Sequence, residues 1–153
     1  MRKPQRTAGP VTRLDDPATW IRHSRRMCLD CSAACCRLPV EVAAGDLVRM
    51  GLMAACELEG DLRPVARRLT KQGVIDHFHC RTGIFTLARM ASGDCRFLDP
   101  GTRLCTIYQQ RPDTCRNHPQ VGPRTGHCAF SPKRLAGSTS RPAAPIVKIR
   151  HPG

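Results

Sequence analysis

The sequence predicts a small α+β, metal-stabilised, cysteine-rich domain with short helices and few strands. Ten of the 153 residues are Cys, whereas Leu, Ile, Val and Phe together number only 30. A chain so short of large apolar side chains gains little from burial alone, and metal ligation can supply the difference. Its apolar residues also fall in short runs punctuated by Gly and Pro, so each element is brief.

The net charge is +13 and is unevenly placed. Residues 1–26 carry seven Lys/Arg against two Asp, and residues 129–153 carry five Lys/Arg and no acid. Charge and low apolar content together mark the ends as unable to fold. Residues 1–19 are therefore read as a flexible basic arm, 20–130 as the cysteine domain and 131–153 as a disordered, basic, Pro-rich tail. No run approaches the ~18 consecutive apolar residues of a membrane span, and the N-terminus lacks the apolar core of a secretory signal. The expected location is cytoplasmic. Thiols stay reduced there, and a cysteine framework reads as metal-binding or catalytic rather than as disulfides.

Taken in order, Trp20 and Ile21 begin a short helix through Arg26, with Arg22, Arg25 and Arg26 on a solvated basic face. Leu38-Pro39-Val40-Glu41-Val42 alternates like a short strand. Asp46 is placed to cap a helix through about Leu58, with Leu47, Met50, Ala54 and Leu58 on one face. Cys56 reads as a semi-buried small hydrophobe. A second helix runs from Pro64 to Gln72 and stops at Gly73, with Val65 and Leu69 inward. His77 and His79 share one face of a strand and Cys80 points away, so the three do not chelate together.

Ile84-Phe85-Thr86-Leu87 is a strand, and Gly93-Asp94 is a turn that delivers Cys95. Phe97 and Leu98 belong to the core, and Asp99-Pro100-Gly101 turns the chain again. Cys105 to Gln110 is a short helical candidate that stops before Arg111-Pro112. Pro112-Asp113-Thr114-Cys115 starts a new helical turn, where a thiol is expected to ionise more readily.

The densest group is Cys28, Cys31, Cys35 and Cys36, answered downstream by Cys95, Cys105, Cys115 and Cys128. A two-residue spacer lets two thiolates turn back onto one ion. A zinc ribbon needs two such pairs, and only Cys28/Cys31 qualifies. The bacterial ferredoxin run also fails, because three residues separate Cys31 from Cys35. Adjacent Cys35 and Cys36 seldom close on one tetrahedral ion. Either they serve different metals, or one is a ligand and the other packs. Eight cysteines suffice for two four-thiolate sites, or for one iron–sulfur cluster with spares. Thiolates suit zinc and iron alike.

Cys28-x2-Cys31-x3-Cys35-Cys36, Gly93-Asp94-Cys95-Arg96-Phe97-Leu98-Asp99 and the run from Cys105-Thr106-Ile107-Tyr108 through Arg111-Pro112 to Cys115-Arg116-Asn117-His118-Pro119 resemble the YkgJ-type cysteine-cluster family, a zinc- or iron-chelating CxxCxxCC domain. The resemblance spans about residues 28–128 and implies Cys28, Cys31, Cys35, Cys36, Cys95, Cys105 and Cys115 as ligands, with Cys128 following by position. The family's first cluster has two residues before its double cysteine, and this chain has three. Around the ligands, Arg111 and Arg116 either donate to thiolate sulfur or brace backbone carbonyls, and His118 is a packed turn residue or a ligand.

Three functions compete. The first is a metalloprotein whose zinc or iron–sulfur centre is mainly structural and presents a surface to a protein partner. The second is a redox or accessory component of a protein-modifying system, since flagellin lysine N-methylases carry a similar cysteine domain. No glycine-rich cofactor loop supports an enzyme here, and no catalytic set is assigned. The third is weak, non-specific nucleic-acid contact through the basic arms. Six Trp, Phe and Tyr residues in all are too few for stacking platforms.

Overall fold

The computed structural model describes residues 11–133. The chain forms β1 (Ile21–Arg22), α1 (Met27–Asp30), β2 (Glu41–Val42), α2 (Ala44–Arg49), α3 (Leu62–Lys71), β3 (Ile75–His79), β4 (Ile84–Leu87), α4 (Asp113–Arg116) and β5 (His127–Cys128), with single 3-10 turns between. Short helices and small antiparallel sheets make it α+β, as composition required.

A three-stranded antiparallel sheet in the order β2-β4-β3 carries the core. The longest helix, α3, lies against β3. Asp61 caps it by accepting from the Arg63 N–H at 3.0 Å, and Gly73 leaves it at φ +68°, a conformation open to glycine. Val65 and Leu69 point inward from α3 onto Phe85, Leu87, Ile75 and Val42. Phe85, Leu47 and Leu69 have no exposed surface at all. This cluster draws its buried members from residues 40–87 alone.

In β3, Ile75 pairs with Leu87 while His77 pairs with Thr86, so a bulge at Asp76 interrupts the alternation. Ile75 and Phe78 therefore both reach the core side, and Phe78 stacks on Phe85 at 4.5 Å. His77 and His79 share the open face with Glu41, Thr86 and Ile84, and Cys80 is exposed.

Three local expectations are corrected. Residues 20–26 hold no single helix: Ile21 and Arg22 pair with Cys128 and His127 as a two-stranded ribbon. Trp20 is buried and donates its indole N–H to the Arg13 carbonyl at 2.9 Å. The helix expected from Asp46 to Leu58 is α2 followed by a separate 3-10 turn, Ala55–Glu59, because Gly51 at φ +73° breaks it. Asp46 does cap, from inside the first turn, accepting from the Ala43 N–H at 3.1 Å. Cys56 lands in the later turn and is exposed rather than semi-buried.

Of the expected basic arm, residues 11–19 are described: a 3-10 turn, Pro17–Thr19, follows an Arg13–Asp16 bridge, and Thr12 donates its hydroxyl to the Phe130 carbonyl. Residues 1–10, and 134–153 of the expected tail, lie outside the described residues. Among the described residues no helix is long and apolar enough to cross a membrane.

Candidate metal centre

The cysteines sit beyond the sheet, on turns rather than on long elements. Cys28 lies in α1, and Cys31 ends it in extended backbone. Ala33 then takes φ +63°, which turns the chain into a 3-10 element, Ala34–Arg37, holding Cys35 and Cys36. Ala33 lies within the three-residue spacer that departs from the family pattern. A left-handed residue reverses the chain direction tightly, so the spacer is spent on the turn.

The distant thiols are brought in by backbone pairing. The Cys95 N–H donates to the Cys36 carbonyl at 2.7 Å. Leu98 bridges Cys105, and the Thr106 N–H donates to the Phe97 carbonyl at 2.8 Å. Pro112 opens α4, which presents Cys115; Thr114 ties α4 to β2 through the Glu41 carbonyl at 2.8 Å. On the other side Cys31 bridges Pro132, and the Ser32 and Lys133 N–H groups donate to the Ser131 and Asp30 carbonyls, each at 2.7 Å. Cys128 follows in β5 beside Ile21. All ten cysteines are free thiols. Cys56 and Cys80 stand exposed on other elements, outside this gathering.

Cys105 is not helical as expected. It lies in the extended bridge to Leu98, and only Tyr108–Gln110 forms a 3-10 turn.

Electrostatics also correct one expectation. A helix start should help Cys115 to ionise, yet burial and the nearby Cys95, Cys35 and Cys105 thiols push it up to about 12. A four-residue helix offers little dipole, and desolvation wins. Burial and the neighbouring Cys31, Cys28 and Cys35 likewise raise Cys128 to about 11, and burial raises Cys28 and Cys95. The neighbouring Cys36 thiol lowers Cys35 to about 7, and Cys35 together with burial raises Cys36.

Arg111 and Arg116 take the bracing role. Arg111 donates to the Tyr108 carbonyl at 2.9 Å and lies 3.7 Å over the Tyr108 ring, while Arg116 donates to the Arg111 and Gln109 carbonyls. His118 is half-buried, and among the described residues its Nε2 is the buried side-chain atom left without a partner. His23, by contrast, places its Nε2 3.4 Å from the Cys28 sulfur.

Asp94 and Arg103 escape a reading based on cysteines. Asp94 is 6% exposed and takes a two-pronged bond from Arg103 at 2.8 and 3.1 Å. Arg103 also donates to the Ser32 carbonyl at 3.0 Å, joining the two cysteine stretches. The available signal is the acid immediately before Cys95. Asp94→Asn is expected to cost about 2 kcal/mol at neutral pH, as a charge-assisted pair is weakened. Arg103 holds the Asp94 carboxyl below its ordinary range, so the pair's contribution is complete above the unfolded value near ~3.9. It is lost as pH falls through the depressed folded value. Urea midpoints of wild type and variant should therefore converge in acid; a gap that persists there argues against the pair.

Among the described residues no three Cys, His, Asp or Glu side chains converge on one coordinating point. The thiols are collected without being closed. Their chemistry nevertheless fits zinc or iron: soft donors, free of disulfides, whose ionisation is opposed by burial and by one another. A bound cation removes that opposition and releases the protons.

Comparison with curated proteins and with solved structures returned no match. The family model CxxCxxCC, described as "Putative zinc- or iron-chelating domain", matches residues 27–137, which takes in the whole gathering of thiols. By that match the chain belongs to the CxxCxxCC family of zinc- or iron-chelating domains.

Proposed function

We propose that this protein holds zinc or an iron–sulfur cluster through Cys28, Cys31, Cys35, Cys36, Cys95, Cys105, Cys115 and Cys128, and that the metal's role is mainly structural. The observation that carries the reading is that backbone pairing draws the 28–36 stretch to Cys95 on one side and to residues 131–133 on the other, with free thiols along each. Of the cysteine-bearing stretches, Phe97 and Cys115 pack against the apolar cluster of residues 40–87, and metal ligation would add the crosslink between the rest. Burial and neighbouring thiols oppose ionisation of Cys115 and Cys128, and a bound cation would supply the charge that lets them ionise.

Metal analysis with a visible spectrum, on protein purified without oxygen, tests this. Zinc in a colourless protein supports a structural module. Iron with acid-labile sulfide and a broad band near ~400 nm supports a cluster and opens redox assays. Protein that takes up neither metal after reduction and reconstitution ends the proposal.

A further inference from the structure

The open face of the three-stranded sheet, turned away from the apolar cluster, carries a set of donors that includes no thiol. Strand register places them there. His77 pairs with Thr86, Thr86 with Glu41, and His79 with Ile84. Residues paired across a sheet share a face, so Glu41, Thr86 and His77 form one row across β2, β4 and β3. His79 follows two residues along β3 and projects to the same side. With Thr82 from the β3–β4 turn, these side chains line an open cavity of about 320 Å³.

The two imidazoles stand 6.5 Å apart, centre to centre, with their planes at 64°. The His79 Nδ1 lies 2.9 Å from the Thr82 hydroxyl. A partner on one ring nitrogen orients the ring and leaves Nε2 for a metal, which is how ligating histidines are commonly held. An ion bound by both rings lies about 2.0–2.1 Å from each nitrogen. Both rings are exposed, and turning about their side-chain bonds brings them to that distance without moving the strand. Glu41 lies beyond Thr86, two strand spacings of about 4.8 Å from His77. Among the described residues it enters no ion pair, and its charge draws a cation to this face. Two imidazoles make a chelate and water fills the other positions, so no third side chain is needed at the ion.

We infer that His77 and His79 form an exchangeable site for a late first-row divalent ion (nickel, copper or zinc), with Thr82 orienting one ring and Glu41 attracting the ion. Imidazole nitrogen suits these ions, whereas calcium and magnesium seek oxygen and pass it over. The site is open to solvent, so its ion comes and goes. It stands independently of the thiol centre, needing none of the cysteines as ligands.

Nickel(II) is the probe, added to the isotope-labelled full chain after zinc saturation in a non-thiol reductant and removal of free zinc. In amide NMR spectra, paramagnetic nickel below one equivalent should first broaden the signals of His77, His79, Ile84 and Thr86. His77→Gln and His79→Gln should each abolish that broadening. Cys80→Ser, which alters the exposed thiol beside His79, should leave it intact. All three positions are exposed, and substitutions at such positions seldom unfold a domain. Broadening that begins in residues 28–36 or 95–128, that survives both histidine variants, or that vanishes with Cys80→Ser overturns the assignment. So does a wild type whose sheet signals stay sharp in excess nickel.

Discussion

Chelation of the metal-loaded chain under reducing conditions is expected to melt residues 20–36 and 95–130 while leaving some order in α3, β3 and β4. Structural zinc contributes about 10–16 kcal/mol to small folding modules, whereas a whole domain is stable by only about 5–15 kcal/mol. The cysteine-bearing stretches add only the half-buried Phe97 and Cys115 to the apolar cluster, whose buried members lie within residues 40–87. Losing even about 4 kcal/mol speeds amide exchange through global opening roughly a thousandfold. Hydrogen exchange read by mass spectrometry should show that acceleration in peptides covering Cys28–Cys36 and Cys95–Cys128. Unchanged protection there after verified metal removal would show that the thiols do not hold the fold.

Phe85→Ala is expected to be the most damaging single change away from the cysteines. Phe85 is fully buried at the centre of β4, between β2 and β3, and stacks on Phe78. Truncating a buried aromatic to Ala removes its transfer energy and leaves a cavity, at a cost of about 3–5 kcal/mol. That is a large part of a small domain's stability. Denaturant unfolding of the metal-loaded protein should show a lower midpoint. Leu69→Ala, from the facing side of α3, should cost about 2–5 kcal/mol and should not add fully to Phe85→Ala, because the two share one cluster. A Phe85→Ala protein with wild-type stability would mean that the sheet is not the core.

Where the sequence signal is local, it reads through to the structure. β4 covers the expected Ile84–Leu87, because a bounded apolar run is a strand whatever lies elsewhere. α3 stops at Gly73 as expected, but Asp61 caps it and it starts at Leu62, two residues before the expected Pro64. The turn opened by Pro112 and the one at Asp99 are equally local, the latter closed by Gly101 and Thr102 N–H donation to the Asp99 carboxylate.

What is not legible depends on partners far along the chain. Ile21 and Arg22 become a strand only because His127 and Cys128 arrive to pair with them. Cys105 is extended because Leu98 claims its backbone, overriding a weak helical preference. For Cys115 the spacing misleads on the sign of the shift, because it reveals the helix start but not the burial or the other thiols around it. The Asp94–Arg103 pair is likewise invisible in composition, being one acid and one base among thirty-seven charged residues.

The ribbon that joins the first described residues to the last has a bearing on the order in which the protein can be made. Thr12 and Phe130, 118 residues apart, are in contact, and Ile21 waits for Cys128. Chains emerge from the N-terminus at about 5–20 residues per second. The cluster of residues 40–87 has all its members early and can close on the growing chain. Residues 20–32, although made first, have nothing to pair with until residues 126–133 appear. The first cysteines are thus without their backbone partners until residues 126–133 have been made. A ligand set shared between Cys28 and Cys128 could be completed only after the chain between them, residues 29–127, has been made.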